Sequence, residues 1–295
     1  MKLDQLPDDC LIALFRQCYL QDLLIFRSVC SRWQILIEHM CEQKRSLKLF
    51  GSMSTFKQEL NRIVFKRMCF NLYDYEDARL ANVTANDNDD LIICVEDHFN
   101  ESLIDLLLFL CPKIELLVIC GFAPPLSDHL VYLIHKLPNL QSLYLQGRIH
   151  ARTSKLPIQI CDSINSLYSL RNLSLRFSDF CMKNIHHELL FRLTPTLARI
   201  EQFAIQHRGC EGDILSVLSQ LGPDCTKLSL ECERIPVVRL KTEFLTKIPH
   251  LRIQLTHLKL VSVKLEYFKF ACETFSSLQQ LDISLAIGLE YVRAT

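Results

Sequence analysis

Fourteen cysteines, ten histidines and one cluster of basic side chains are the groups in this 295-residue chain best equipped for chemistry. A thiolate can act as a nucleophile or soft metal ligand, and an imidazole as a ligand or base. Both uses need partners at set spacings. A zinc site needs closely spaced ligand pairs, yet the cysteines are scattered singly with no Cys-x-x-Cys. His186-His187 is the only paired histidine and has no companion pair, so it reads as a polar helix face and no metal site is expected. The seven glycines include no Gly-x-Gly-x-x-Gly and no Walker-type loop. Gly-x-Ser-x-Gly and His-Glu-x-x-His are missing too. No cofactor and no catalytic residue is expected. The cysteines are expected to be free thiols behaving as small core hydrophobes.

Charge narrows the partners. The chain carries 33 basic and 33 acidic side chains, so its formal net charge is zero. That balance gives no electrostatic reason to expect nucleic acid or an anionic membrane. Lys57, Arg62, Lys66 and Arg67 form a local basic patch, read as an ordinary solvated helix face. The N-terminus has early acids and no apolar core, unlike a signal peptide. The longest apolar run, near Leu106 to Cys111, is too short to span a bilayer and is flanked by Asp105 and Lys113. A soluble intracellular protein, cytoplasmic or nuclear, is the expectation.

Internal repetition says which elements organise the chain. Cys111 to Gly121 and Leu137 to Gly147 share a proline, three apolar positions and a final glycine at an offset of 26. The pattern apolar-x-x-apolar-x-apolar then recurs at Leu170, Leu173 and Leu175, at Ile200, Phe203 and Ile205, and at Cys225, Leu228 and Leu230. Leu255, Leu258 and Leu260 follow, then Leu278, Leu281 and Ile283. First anchors at 114, 140, 170, 200, 225, 255 and 278 are spaced by 26, 30, 30, 25, 30 and 23, the range of leucine-rich repeats. Alternating residues such as Leu143 and Leu145 share one face of a short strand, and Leu140 enters the same core from the preceding turn.

Helical stripes lie between the strands: Leu130, Leu133, Ile134 and Leu137; Ile185, Leu189, Leu190 and Leu193; Ile214, Val217, Leu218 and Leu221. Ser127 or Asp128 is placed to cap the first of these helices. Pro112, Pro138, Pro195, Pro223 and Pro249 are placed to stop helices before the next strand. Upstream, Leu47, Leu49 and Gly51 match the strand phase, and Leu91, Ile93 and Val95 read as another strand. The polar stretch 81–90 reads as a loop. About nine strands are expected, the second unit enlarged. The fold class is an α/β solenoid: a small three-helix module over residues 1–42, then a leucine-rich-repeat horseshoe over 43–295, with a curved parallel sheet and outer helices.

The module reads differently from the rest. Pro7 suits a first helical turn, and Asp8 and Asp9 favour the positive end of that helix. Leu11, Ile12, Leu14 and Phe15 supply an apolar face. Asp22 is placed to cap a second helix striped by Leu23, Phe26 and Val29, and Trp33 anchors a third. About forty residues in three helices make a poor core. Leu6 and Pro7 have little of their own to pack on, so a partner is implied.

Leu6-Pro7 with Asp9, then Leu11, Ile12 and Phe15, Asp22-Leu23, and Val29-Cys30 with Trp33 resemble the F-box family in type and spacing. Cys18 stands where the family usually has leucine, which weakens one packing contact. An F-box followed by leucine-rich repeats is similar to the F-box/leucine-rich-repeat class of receptors in SCF-type ubiquitin ligases. The resemblance implies docking on Skp1, and through it a cullin and a RING subunit that carries the charged E2. The repeats would bind a protein substrate, and catalysis would be proximity alone. It assigns Leu6, Pro7, Leu11, Ile12 and Phe15 to Skp1; the alternative is that they pack on the first repeat.

Residues alternating with the apolar strand positions are expected on the concave face. Tyr144, Asn172, Arg176, Gln202, Lys227, His257 and Lys259 are the candidate substrate contacts, Tyr144 and Arg176 foremost because tyrosine and arginine favour interfaces. A catalytic cysteine of the kind some repeat-bearing bacterial ligases carry would need a separate domain, for which the repeats leave no room. A scaffold that binds Skp1 or other proteins without recruiting a cullin is the rival reading.

Overall fold

The structure is a computed structural model. It describes residues 3–16, 18, 20–50, 90–94, 101–120, 124–147, 156–177, 191–207, 219–232, 254–263, 276–285 and 291–294. His186-His187, the basic patch at 57–67 and Val95 lie outside the described residues, as does most of the 81–90 loop and of the second and third helical stripes. The chain divides into two compact units, Met1–Asn139 and Leu140–Thr295.

The first unit opens with a 3-10 turn, Leu3–Gln5, and helices α1 (Asp8–Phe15), α2 (Leu20–Arg27) and α3 (Ser31–Glu42). α2 begins before Asp22, so that acid sits in the first turn, beside the helix's positive end, instead of capping it. Strands β1 (Ser46–Phe50), β2 (Asp90–Cys94) and β3 (Leu116–Cys120) follow, with α4 (Glu101–Leu110) and α5 (Pro124–His135). Leu130, Leu133, Ile134 and Leu137 are all buried, as their spacing predicts. The α5 helix starts at Pro124, three residues before Ser127, because proline's fixed φ suits a first helical position.

Strand order in this unit departs from simple stacking. β1 pairs in parallel with β2 on one side and β3 on the other, Leu47 aligning with Leu91 and Leu117, and Leu49 with Ile93 and Ile119. The strand next along the chain therefore takes the outer place. Ser46, Leu47, Lys48 and Leu49 are all buried, so β1 is covered on both faces, as central parallel strands usually are. The Cys111 thiol, just after α4, is pushed up by its hydrogen bond to Cys41 near the end of α3 and by burial, a contact that ties the two helices together.

The second unit is more regular. β4 (Ser142–Gly147), β5 (Asn172–Phe177), β6 (Gln202–His207), β7 (Lys227–Cys232), β8 (His257–Val263) and β9 (Gln280–Leu285) pair in parallel, each with the next. One ladder aligns Leu143, Leu173, Phe203, Leu228, Leu258 and Leu281; two residues on, Leu145, Leu175, Ile205, Leu230, Leu260 and Ile283 form another. The anchors Leu140, Leu170, Ile200, Cys225 and Leu255 are wholly buried. Just after each anchor, one carbonyl accepts two backbone N–H groups from the next strand's entry. The Gln141 carbonyl takes Arg171 and Asn172, Arg171 takes Glu201 and Gln202, and Glu201 takes Thr226 and Lys227, all at 2.8–3.2 Å.

Between these strands, among the described residues, lie α6 (Leu156–Asn165) and α7 (Thr194–Leu197). Pro195 occupies the first turn of α7, so it starts a helical turn where the spacing suggested a stop. The repeat pattern also misses β10 (Tyr291–Ala294), which pairs antiparallel with β9. Ten strands form among the described residues, one more than expected.

Arg199 knits the turns of neighbouring repeats. Its guanidinium donates to the carbonyls of Asn165 (3.0 Å) and Leu167 (2.9 Å) and lies 5.4 Å from the Tyr168 ring centre. Gly222 lies so close to α7 that an added Cβ would stand 1.9 Å from the Ala198 carbonyl oxygen. Gly222→Ala should therefore force the α7 turn apart and cost about 1–3 kcal/mol. Leu143→Ala, which empties a wholly buried site, should cost about 2–5 kcal/mol. Denaturant unfolding of the full chain measures both.

Candidate partner-binding surfaces

The module's core is one aromatic cluster. Phe15 of α1, Phe26 of α2 and Trp33 of α3 meet with ring centres 5.4–6.0 Å apart, the two tryptophan contacts edge-on. The indole N–H of Trp33 has no hydrogen-bond partner among the described residues, so shape and ring contact hold it. Leu11 and Phe15 are 0% exposed. Neither offers surface to a partner in this conformation, so the expectation that they face Skp1 gives way to a supporting role beneath the surface. The reason is that each of three short helices needs its largest apolar residues for a common core.

Leu6 and Ile12 are half-buried and Pro7 is exposed. Leu3, Leu14, Ile25, Val29 and Ile35 are exposed as well, Ile25 and Ile35 by more than 60%. Five of the eight exposed large apolar side chains among the described residues thus belong to the first 35 residues. Apolar exposure is therefore concentrated in this small module.

Arg32 fixes the segment that carries Leu6 and Pro7. Its Nη2 donates to the Leu6 carbonyl at 2.6 Å and to Asp8 Oδ1 at 2.5 Å, and its Nε donates to the same oxygen at 2.9 Å. The sequence reading missed this role. Its only signal was an acid at a helix start and an arginine beside the tryptophan, too common a pair to single out. A second pair joins α2 to α3: Arg27 donates to Glu38 Oε1 through Nη2 (2.5 Å) and Nε (2.8 Å), and Gln34 Nε2 donates to it at 3.0 Å. The Gln34 hydrogen bond and then the Arg27 contact hold the Glu38 carboxyl below its ordinary value of 4.5.

The second surface is the sheet face of the second unit. Strand register places Ser142, Asn172, Gln202, Lys227, His257 and Gln280 in one row. Tyr144, Ser174, Ala204, Ser229, Lys259 and Asp282 form the next. Four candidate contacts, Asn172, Gln202, Lys227 and His257, therefore stand side by side, with Tyr144 and Lys259 near opposite ends of the second row. All six are half-buried. Arg176 takes its place in the register between Gln146 and Gln206, but its side chain lies outside the described residues. Ser174, Ser229 and Asp282, expected to line an open face, are buried. The two serines are short beside longer neighbours, and Asp282 accepts a hydrogen bond from Gln280 Nε2 at 2.9 Å.

Two of the buried thiols, Cys161 and Cys225, are held in the protonated form. Burial pushes Cys161 up to about 12, with Asp162 adding to it, and burial likewise pushes Cys225 up to about 12. Among the described residues no group of His, Cys, Asp and Glu could hold a metal ion, and no helix is long and apolar enough to cross a membrane.

Residues 3–44 match the model of the F-box domain family. No curated protein is similar enough to match the chain. The chain thus carries an F-box domain, and its three helices and exposed apolar residues lie within the matched segment.

The Arg27–Glu38 pair makes a pH prediction. A carboxyl held below its unfolded value stabilises the fold above that value, and the contribution is lost as pH falls through the folded one. For a pair at the surface it is at most about 1 kcal/mol. Amide exchange in α2 and α3 of the full chain should accelerate beyond its intrinsic trend between about pH 5 and pH 3. Glu38→Gln should remove part of that acid sensitivity.

Proposed function

We propose that this protein is the substrate-recognition subunit of an SCF-type E3 ubiquitin ligase. An F-box domain implies docking on Skp1, and the match over residues 3–44 is the observation that carries the reading. In the proposed arrangement Skp1 links the chain to a cullin and a RING subunit. Leu6, Pro7 and Ile12 contact Skp1, joined by the exposed apolar residues of the module, while Leu11 and Phe15 support them from within. We assign the boundaries as residues 1–42 for the F-box module and 43–295 for a leucine-rich-repeat solenoid. The anchor spacing and the parallel register of β4 to β9 favour that repeat class.

The half-buried row of Asn172, Gln202, Lys227 and His257, with Tyr144, Lys259 and Arg176, receives the protein substrate in this reading. The chain itself performs no bond chemistry. It raises the effective concentration of a substrate lysine near the E2 thioester. It acts in the cytoplasm, the nucleus or both, without cofactor, nucleic acid or membrane.

Leu6→Ala with Pro7→Ala tests the docking. Leu6 is half-buried and Pro7 exposed, so the double variant should leave the sheet folded. Affinity purification should recover Skp1 and a cullin with the native chain and at least about tenfold less of both with the variant, as loss of an interface anchor predicts. Recovery of Skp1 without a cullin would favour the scaffold reading. Undiminished Skp1 with the variant would remove Leu6 and Pro7 from the interface.

A further inference from the structure

Cys41 and Cys111 are two buried thiols in contact. Cys41 lies in the last turn of α3, and Cys111 directly follows α4. Both are free, and their side chains share a hydrogen bond. Thiols in such contact need only a short approach to reach the roughly 2 Å of a disulfide bond. The two also differ in character. Burial pushes Cys161 and Cys225 up to about 12. Cys41 is buried too, yet it is held below its ordinary value of 9.0. Its hydrogen bond to the Cys111 thiol outweighs burial, and the charges of Lys44 and Arg27 work against that of Glu38. Cys41 is therefore the nucleophile of the pair, and Cys111 the thiol that follows it. Each stands beside exposed turn residues, Glu42 and Gln43 after α3 and Pro112 and Lys113 after α4. Helix ends fray and open locally, so a molecule as small as hydrogen peroxide reaches the pair without unfolding the sheet.

We propose that Cys41 and Cys111 form a reversible redox switch, which a hydroperoxide closes into a disulfide that latches the end of the F-box segment to the chain after α4. The Cys41 thiolate attacks a peroxide oxygen and the O–O bond breaks. A sulfenic acid is left on Cys41, and the departing hydroxide takes up the proton that Cys41 gave up. The Cys111 sulfur then attacks the Cys41 sulfur, the S–O bond breaks, and water leaves with the Cys111 proton. Two thiols together lose two electrons, and one hydrogen peroxide becomes two waters. A thiol reductant reopens the bond, as reducing compartments do with transient disulfides. The chemistry stays on the chain's own thiols and does not depend on the ligase reading.

Peroxide treatment of the reduced full chain tests this. Remaining thiols are alkylated, and unreduced peptides are mapped by mass spectrometry. A Cys41–Cys111 link should be the main disulfide, and dithiothreitol should remove it. In guanidinium the preference should vanish, because fourteen cysteines then compete without the folded contact. Amide exchange at the end of α3 should slow about tenfold or more in the linked chain, since the bond restrains local opening. Cys111→Ala should abolish that slowing. No such link in the folded chain, an equal share of it in the unfolded one, unchanged exchange on linkage, or slowing that persists in the variant would overturn the proposal. Should the variant not fold, the measurements on the native chain decide alone.

Discussion

A single backbone carbonyl just after each buried anchor receives two N–H groups from the strand entry of the next repeat. Gln141, Arg171, Glu201, Thr226 and Thr256 each play this part in the second unit, and Arg45 does so toward Glu115 and Leu116 in the first. A shared acceptor leaves no freedom for a one-residue slip, and a slip would turn every leucine of a strand from core to surface. The anchors beside these carbonyls are buried, which fixes the chain next to each shared acceptor. The apolar ladders and the rows of polar side chains on the other face inherit their alignment from this contact.

The F-box module rests on a different economy of parts. Its helices are too short to be stable alone, and three aromatic rings hold them together. Spending Leu11 and Phe15 on that core leaves smaller or less protected apolar residues at the surface. Arg32 then supplies what the core cannot, a fixed path for the chain before α1. Order inside and apolar exposure outside are two sides of one shortage of residues.

The periodic parts of this architecture were legible in the sequence. Anchors such as Leu140 and Leu170 announce themselves because strand and helix periods put an apolar residue in the same places in every repeat. The three short helices could be read for the same reason, but not their caps, since α2 begins before Asp22; beyond the module, α5 starts at Pro124 and not at Ser127 or Asp128. Properties that depend on which elements meet were not legible. Nothing in Leu91 or Ile93 says that their strand lies outside β1, and nothing in Gly222 says that a carbonyl lies where its side chain would be. The candidate contacts divide likewise. Register placed Asn172, Gln202, Lys227 and His257 in one row because alternation is a local rule, while the burial of Leu11, Phe15 and Ser174 depends on neighbours far along the chain.

The interior position of β1 has a consequence for how such a chain could be recombined. The strand begins four residues after α3 ends, yet both its edges are bonded, to β2 and to β3. A cut after α3 that exchanged the module alone would leave β1 in place with a foreign neighbour. A cut after β1 would withdraw the middle strand of three and strand two unpaired edges. Grafting this F-box onto another chain, by evolution or by hand, is therefore cleanest at a junction before Ser46, and β1 travels with the strands it unites.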